Sequence, residues 1–213
     1  MTEDLYKNQL YIYDFNKPSP LANIAVNYIK NHSLDDGAID IIDIGCGHGR
    51  DLFFFSENLN YNGMIGIDIS EEAISKAQKI CANVPNLKFY NYNLKNIKNI
   101  QVDVVFCAGV IHFLKKEERI LFRDIINRIL KPKGLFFFCT LSSNDKMYYG
   151  KGRSVEKDPN SFEDQTYLHF SSEKELRSEF GFFKIEKLYE YYQKDYPTDI
   201  QYHTSWIFIG KKI

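Results

Sequence analysis

The sequence has little cysteine for its 213 residues, and the few cysteines lack the spacing of a metal site. They are Cys46, Cys81, Cys107 and Cys139, with no CxxC pair and no closely placed histidine. This excludes the usual zinc motifs and gives no disulfide framework. We therefore expect no metal site, and reduced thiols of the kind found in the cytoplasm.

Long apolar runs and an excess of charge are also missing. No apolar run approaches the ~20 residues that span a bilayer. The first residues, MTEDLYKNQL, lack the basic and apolar regions of a signal peptide. Lys and Arg number 27 and Asp and Glu 28, so the net charge is −1, which does not indicate a nucleic-acid surface. We expect a monomer or homodimer with neither a membrane nor a nucleic acid as partner.

What remains is a regular alternation of helix and strand over a length that suits one domain. After the helix SPLANIAVNYIKN, where Ser19 can act as the N-cap, strands and helices alternate as far as residue 141. Predicted strands are AIDIIDI, GMIGIDI, NLKFYNY, VDVVFCA and GLFFFCTL; predicted helices are GRDLFFFSENL, SEEAISKAQKICA and KKEERILFRDIINRIL. A short helix at SSEKELRSEF and an antiparallel hairpin of FFKIEKLYEYY and TSWIFIGKK follow. The pattern predicts an α/β fold with an open sheet, parallel at first and antiparallel at one edge.

The segment IIDIGCGHGRD leaves the end of the first strand, where open α/β sheets bind their ligands. Gly45, Gly47 and Gly49 allow a sharp turn and leave no side chain between the backbone and a ligand. The segment lacks the GxxxxGK[ST] pattern of a P-loop. A dinucleotide fingerprint would need glycine where Arg50 stands. Neither a P-loop nor a GxGxxG dinucleotide site is therefore indicated.

Two acids accompany this loop. Asp43 precedes the first glycine by two residues, and Asp68 ends the second predicted strand. A carboxylate at the second position can accept hydrogen bonds from both hydroxyls of a ribose. An uncharged loop of close approach with a ribose acceptor favours a nucleoside that carries a small zwitterion.

These residues resemble the class I S-adenosylmethionine-dependent methyltransferase family. The similarity extends from DIGCGHG and GIDIS to NYNLKNI, VVFCAGVIHFL and LKPKGLFFFCTLS, over about residues 39–142. It implies a Rossmann-like three-layer sandwich with a seven-stranded, mostly parallel sheet and an antiparallel C-terminal hairpin. It also implies an enzyme with S-adenosylmethionine as its cofactor. GCGHGRD and the compact size are similar to the small-molecule branch that includes tellurite-resistance-type and thiol methyltransferases.

The resemblance assigns roles around the cofactor. Asp43 would order the glycine loop and the methionine end, Asp68 would hold the ribose, and Ile69 would pack on the adenine. Asn93, where many members have Asp, would meet the adenine edge with Leu94. The implied cofactor-binding residues are Asp43, Gly45, Cys46, Gly47, Gly49, Asp68, Ile69, Asn93, Leu94, Cys107 and Ala108, the last two lining the floor near the sulfonium.

Several of these residues also have a purely structural interpretation. Asp43 could cap the loop, Asp68 could precede the helix cap Ser70, and Asn93 could be a turn residue. Cys107 could fill the core as a small apolar group. These alternatives stay open at the level of the sequence.

Two histidines are candidate catalytic bases, to be used only if the acceptor is protonated. His112 follows the fourth strand, and His169 ends a long polar and aromatic stretch; a structural role is the alternative for both. We predict transfer of a methyl group to a small-molecule acceptor by direct displacement, with oxygen, nitrogen, sulfur and metalloid acceptors all open. The alternative is a catalytically silent cofactor-binding partner or sensor. A nucleotide-dependent oxidoreductase is disfavoured by the missing GxGxxG, and macromolecule methylation by the near-zero net charge.

The chain is thus predicted to be a single domain with four parts. They are an N-terminal helical cap at residues 1–38, a cofactor-binding core at 39–141, an insertion at 142–170, and a C-terminal helix and hairpin at 171–213. The insertion is expected to be an irregular lid with Gly150 and Gly152 as hinges, mobile without ligand. Its aromatic residues would cover an apolar acceptor.

Overall fold

The computed structural model describes residues 17–98, 100–194 and 202–213. The helices are α1 (Pro20–Asn31), α2 (Arg50–Asn58), α3 (Glu71–Ile80), α4 (Lys116–Ile129) and α5 (Glu173–Glu179), and 3₁₀ turns lie at Leu94–Asn96 and Ile111–Phe113. The strands are β1 (Ile39–Ile44), β2 (Tyr61–Asp68), β3 (Leu87–Asn91), β4 (Val102–Ala108), β5 (Leu130–Leu141), β6 (Arg153–Ser154), β7 (Ser161–Glu163), β8 (Tyr167–His169), β9 (Phe183–Lys194) and β10 (Tyr202–Lys212).

The main sheet has seven strands in the order β3-β2-β1-β4-β5-β10-β9. Strands β1 to β5 pair in parallel, while β10 is antiparallel to both β5 and β9. The predicted α/β fold and its antiparallel hairpin are confirmed. Because β2 and β4 flank β1, the glycine loop leaves the sheet at its topological switch point.

Apolar side chains cover both faces of this sheet, as expected for strands buried between helices. On one face, α1, α2 and α3 pack against residues such as Phe106 and Phe137. On the other, α4 and α5 pack against Phe136 and Phe138. Successive residues of β5 thus point to opposite layers, which explains its continuous aromatic run.

The predicted helix caps are present. The Ser19 hydroxyl accepts a hydrogen bond from the backbone N–H of Ala22 at the start of α1, at 3.1 Å. Ser70 caps α3 in the same way, and Ser172 forms a capping box with Glu175 on α5. Each side chain satisfies a backbone N–H that has no partner within its helix.

Strand β5 begins earlier than predicted. The segment KPKG ends α4, as expected, but it belongs to β5 rather than to a loop. The pairing with β4 shifts from Val102–Leu130 to Val104–Leu135, and Lys133 has a φ of 68°. A β-bulge therefore accommodates the extra residues of β5. Turn-forming residues in the sequence do not by themselves distinguish such a bulge from a loop.

Residues 142–170 are less irregular than predicted. They contain a second, antiparallel sheet in the order β6-β7-β8. Strands of two or three residues are too short for a recognisable alternation of apolar and polar positions. The prediction of an irregular connection is therefore wrong for the three short strands at 153–154, 161–163 and 167–169.

The connection between β3 and β4 contains a 3₁₀ turn at Leu94–Asn96. In the predicted N-terminal cap, α1 is present, and residues 1–16 lie outside the described residues. Within the described part of the chain, no helix has the length and apolarity needed to cross a membrane.

Candidate active site

The glycine loop makes a tight turn between β1 and α2. Gly45, Gly47 and Gly49 have φ angles of 78°, 54° and 84°, in the left-handed region that favours glycine. The N–H groups of Gly45 and Cys46 both donate to the carbonyl of Ile67, at 2.8 and 3.0 Å. The loop is therefore fixed against the end of β2.

Two of these glycines also make room for other side chains. A Cβ at Gly45 would lie 2.2 Å from Val110 Cγ2, and one at Gly49 would lie 2.8 Å from Phe89 Cζ. The sequence suggested that the glycines leave space for a ligand. At these two positions the space is occupied by the side chains of Val110 and Phe89. The loop therefore packs closely against the segment after β4 and against β3.

Asp68 holds the loop and the next helix together. It ends β2 and is 3% exposed. Its Oδ2 accepts from Gly47 N–H and its Oδ1 from Ser70 N–H, both at 2.9 Å. The structural alternative is therefore present, and it does not exclude the ribose, because each carboxylate oxygen can accept more than one hydrogen bond.

Asp43 is buried at the end of β1, at 2% exposure. Its Oδ1 has no hydrogen-bond partner within residues 17–98, 100–194 and 202–213. Burial raises the pKa of Asp43 well above its usual range, and the charges of Asp51 and Asp68 raise it further. The resemblance implied that Asp43 orders the glycine loop, but Asp43 makes no hydrogen bond to this loop, whose residues are all described by the structure. The unpartnered oxygen fits a cationic ligand group, such as the ammonium of a bound methionine moiety.

The residues expected around the adenine follow β2 and β3. Ile69 and Leu94 are partly buried. Asn93 is exposed, and its side chain accepts from Lys95 N–H at 3.3 Å, so it caps the 3₁₀ turn at Leu94–Asn96. Tyr92 N–H donates to the carbonyl of Asp68 at 3.0 Å, which keeps Asn93 near the end of β2.

The surroundings of the thiols at the ends of β4 and β5 make these thiols unreactive. Cys107 is fully buried in the layer formed with α4, and burial raises the pKa of its thiol well above the usual range. Ala108 points to the opposite layer and pairs with Cys139 of β5, which the sequence did not single out. Burial raises the pKa of Cys139 to about 12. Side chains alternate between the two faces along a strand. This alternation, read from the sequence, would have placed Ala108 and Cys139 on the same face of the sheet.

His112 lies on the 3₁₀ turn Ile111–Phe113, directly after β4. The ring is 9% exposed, and Nδ1 has no hydrogen-bond partner in the part of the chain that the structure describes. Burial, together with the nearby His203 and His169, lowers the pKa of His112 to about 3. His112 is therefore neutral at physiological pH and is a weak proton acceptor.

His169 is bonded to its own segment, which was one of the two interpretations of the sequence. Its ring is 1% exposed, and Nδ1 lies 2.9 Å from Ser161 Oγ. Nε2 lies 2.9 Å from Glu175 Oε1, but the two atoms do not have hydrogen-bond geometry. This environment favours a structural role for His169.

The sequence did not indicate a buried ion pair beside His169. Arg119 of α4 is 5% exposed and donates to both carboxylate oxygens of Asp158, at 2.8 and 3.3 Å. Tyr167 donates to Asp158 Oδ2 at 2.6 Å and accepts from Arg119 at 2.9 Å. Burial alone would raise the pKa of Asp158, but these partners outweigh it and lower the pKa. Nothing in the charge pattern of α4 distinguishes Arg119 from the other basic residues of this helix.

A seven-stranded sheet of this order, with a glycine turn after β1 and an acid ending β2, defines the class of the protein. The class is that of the Rossmann-like S-adenosylmethionine-dependent methyltransferases. A family model described as "Methyltransferase domain" matches residues 35–195, and the chain belongs to this family. The predicted methyltransferase class is confirmed by this match.

Among curated proteins, the ubiquinone biosynthesis O-methyltransferase of Rickettsia bellii is 30% identical over 132 residues, which are 59% of this chain and 52% of that protein. The chain spans about half the length of the curated relatives that it matches first. The similarity therefore describes a shared domain rather than the whole relative.

Two solved structures illustrate the fold. TehB from Haemophilus influenzae aligns with a TM-score of 0.71 at 16% identity, over 100% of this chain and 68% of that one. Magnesium protoporphyrin IX methyltransferase from Synechocystis, with bound S-adenosylmethionine, aligns with a TM-score of 0.69 at 14% identity, over 98% of this chain and 91% of that one. At such identities the likeness shows the fold alone.

Proposed function

We propose that this chain transfers the methyl group of S-adenosylmethionine to a small-molecule acceptor. The observation that carries the proposal is a pair of buried polar atoms without partners in the described residues, Asp43 Oδ1 and His112 Nδ1. Asp43 lies near the end of β1 and His112 follows β4, and these two strands are neighbours in the sheet. A buried polar atom without a partner costs about 1–3 kcal/mol, so a pair at one sheet edge favours a ligand that satisfies both.

On the cofactor side, Asp43 Oδ1 accepts from the ammonium of the methionine moiety. Asp68 accepts from the ribose hydroxyls while it holds Gly47, and Ile69, Asn93 and Leu94 border the adenine. When bound, the cofactor supplies an electrophilic methyl group on a sulfonium. Gly45, Cys46, Gly47 and Gly49 bring the backbone to the ligand, and Ala108 lies at the floor of this part of the site, with Cys107 buried in the core on the opposite face of β4.

On the acceptor side, His112 acts through a hydrogen bond. With its pKa lowered to about 3, it holds little capacity to remove a proton at neutral pH. Alignment of the nucleophile with the methyl group then provides the main acceleration. We expect His112→Gln to reduce turnover less than about tenfold, as for a lost neutral hydrogen bond. A loss of ~10²–10⁴-fold would instead identify a general base.

His169 serves as the comparison for that measurement. Its hydrogen bond to Ser161 favours a positioning role, so His169→Gln should change stability more than turnover. Turnover that falls 10²-fold or more for His169→Gln in a folded variant would restore the general-base hypothesis for this residue.

A small acceptor is supported by the relatives, whose names refer to ubiquinone biosynthesis and to magnesium protoporphyrin IX. The net charge of −1 supports it as well, since a nucleic-acid substrate favours a basic surface. A place in the tellurite-resistance-type branch is part of the proposal and has the TehB-like fold as its support. We also propose a cytoplasmic location, given four unpaired cysteines, and a monomer or homodimer.

The test begins with calorimetry on the purified chain. S-adenosylmethionine and S-adenosylhomocysteine should bind at micromolar affinity, and NAD and ATP should not; tighter binding of NAD would overturn the assignment. Formation of S-adenosylhomocysteine is then measured with catechol, amine, thiol and tellurite acceptors. Cofactor binding without transfer to any acceptor class would favour the silent partner or sensor over the enzyme.

A further inference from the structure

A third carboxylate is buried next to the glycine loop, at the start of α2. Asp51 stands in the first turn of α2, two residues after Gly49, and is 5% exposed. Its Oδ1 accepts a hydrogen bond from Ser19 N–H at 2.7 Å. The roles proposed above for the cofactor residues make no use of this side chain.

Asp51 is electrostatically linked to other buried acids near the glycine loop. Asp43 and Asp68, each 3% exposed or less, belong to the same electrostatic cluster, since the charges of Asp51 and Asp68 both act on Asp43. Arg50 offsets part of this charge, with its Nε 3.8 Å from Asp51 Oδ1. Buried charges of one sign repel each other and are costly unless a cation lies among them. The unpartnered Oδ1 of Asp43 indicates where such a cation is accepted.

The cofactor changes its charge during the reaction. S-adenosylmethionine carries a sulfonium, an ammonium and a carboxylate, and thus one net positive charge at neutral pH. After methyl transfer the sulfur is a neutral thioether, so S-adenosylhomocysteine has no net charge. A negative site therefore interacts more favourably with the cofactor than with its product.

We propose that Asp51, acting with Asp43, makes the site discriminate between the cationic cofactor and its neutral product. This inference rests on the proposed cofactor site. Asp51 then serves as a specificity residue that favours the methylated state and promotes release of the product. The hydrogen bond that it accepts from Ser19 N–H fixes the carboxylate at the start of α1.

Protonation gives an independent readout of the same cluster. Burial raises the pKa of Asp51, with Arg50 and Ser19 opposing the rise, and the pKa of Asp43 is raised as well. A cation among these acids favours their ionised forms, so S-adenosylmethionine should release protons on binding and S-adenosylhomocysteine fewer. The other titratable or charged groups that act on these acids or sense their charge are Asp68 of β2, Arg50 of α2, Cys46 of the loop, Cys107 of β4 and Cys139 of β5.

The deciding variant is Asp51→Asn, which keeps an oxygen to accept from Ser19 and removes only the charge. Calorimetry should show the affinity for S-adenosylmethionine falling roughly tenfold more than that for S-adenosylhomocysteine. Sinefungin, which carries an amine in place of the methylated sulfonium, should behave like S-adenosylmethionine. Equal losses for all three ligands would overturn the inference.

Two controls separate charge at the site from other effects. Asp103→Asn removes a carboxylate that pairs with Lys131 at the opposite edge of the sheet, and it should leave the affinity ratio unchanged. Ser19→Ala removes the hydroxyl of the α1 cap but keeps the charge of Asp51, and it should also leave the ratio unchanged. A shift of the ratio by Asp103→Asn would point to net charge rather than to Asp51.

Proton release by the unmodified chain requires no variant. Binding enthalpies in two buffers of different ionisation enthalpy should show more protons released with S-adenosylmethionine than with S-adenosylhomocysteine, and equal release would contradict the inference. If the chain binds neither ligand, the proposed function itself fails. If both bind with equal proton release and an unchanged ratio in Asp51→Asn, only the role of Asp51 fails.

Discussion

Two buried polar regions of this molecule contain the same residue type in opposite electrostatic states. Beside the glycine loop, Asp43 has an oxygen without a partner in the described residues, and its pKa is raised. In the anchor, defined as Arg119, Asp158, Tyr167, Ser161 and His169, both oxygens of Asp158 accept hydrogen bonds and its pKa is lowered. Both side chains have little exposed surface, but Asp43 lies deeper, and desolvation is the main cause of its raised pKa, whereas the partners of Asp158 outweigh its smaller desolvation. A buried carboxylate whose oxygens all have partners indicates a structural link. A buried carboxylate with an unpartnered oxygen indicates a place for a ligand.

Hydrogen-bond directions in the anchor also determine the tautomer of His169. The single proton of the Tyr167 hydroxyl goes to Asp158, so Tyr167 accepts from Ser161, 2.9 Å away. The Ser161 hydroxyl has then used its own proton and accepts from Nδ1–H of His169. Nδ1 of His169 is therefore the protonated nitrogen that belongs to the anchor.

The largest expected effect on stability comes from removing the cation that pairs with Asp158. Arg119→Met should lower the free energy of unfolding by about 3–5 kcal/mol, since a buried carboxylate then lacks its partner. Urea denaturation measures the loss. Arg153→Met is the control in the same segment: Arg153 is 84% exposed and pairs loosely with Glu163, so the change should stay below about 0.5 kcal/mol. Similar losses for both variants would show that the anchor contributes no more than a surface pair.

The cofactor side is tested by Asp68→Ala. Binding of S-adenosylmethionine should weaken by about 1.5–3 kcal/mol, as expected for hydrogen bonds to a charged group. Calorimetry provides the measurement. Asp145 is a matched control: it is 3% exposed, and its oxygens accept from the backbone N–H groups of Met147, Tyr148 and Thr204. Asp145→Ala should reduce stability but not cofactor affinity; an equal loss of affinity would remove the distinction between the two regions.

The neutral state of His112 predicts a pH dependence of stability. Its folded pKa of about 3 lies below the unfolded value of 6.5, so between these values the unfolded chain binds more protons. Stability from this group is therefore present above pH 6.5 and is lost as the pH falls towards 3. Between pH 8 and pH 5 the loss is about 2 kcal/mol. Thermal unfolding of the original chain and of His112→Gln should show this difference, and parallel curves would contradict it.

The sequence predicted the elements that repeat a strong pattern, and it missed those that depend on distant partners. The glycine loop, Asp68 at the end of β2 and the cap at Ser70 follow from local spacing. Arg119 and Asp158 lie 39 residues apart, and their pairing depends on how residues 153–169 fold back onto α4. The lack of a partner for Asp43 likewise arises from burial by several elements, which no single segment encodes.

The last and smallest expected effect concerns residues 142–170, which the sequence suggested as a mobile lid. The anchor fixes β7 and β8 to α4, so amide exchange should be slow at residues 158–169 with and without ligand.

Residues 146–152 are the part that remains for a moving lid: Gly150 and Gly152 have φ angles of 79° and 91°, and Tyr149 is 40% exposed. Hydrogen exchange on the free chain and on its complex with S-adenosylhomocysteine and an acceptor should therefore show new protection at residues 146–152 alone. Strong and equal protection of residues 146–168 in both states would identify a fixed insertion. Fast exchange throughout the free segment would instead show that the ion pair of Arg119 does not hold it.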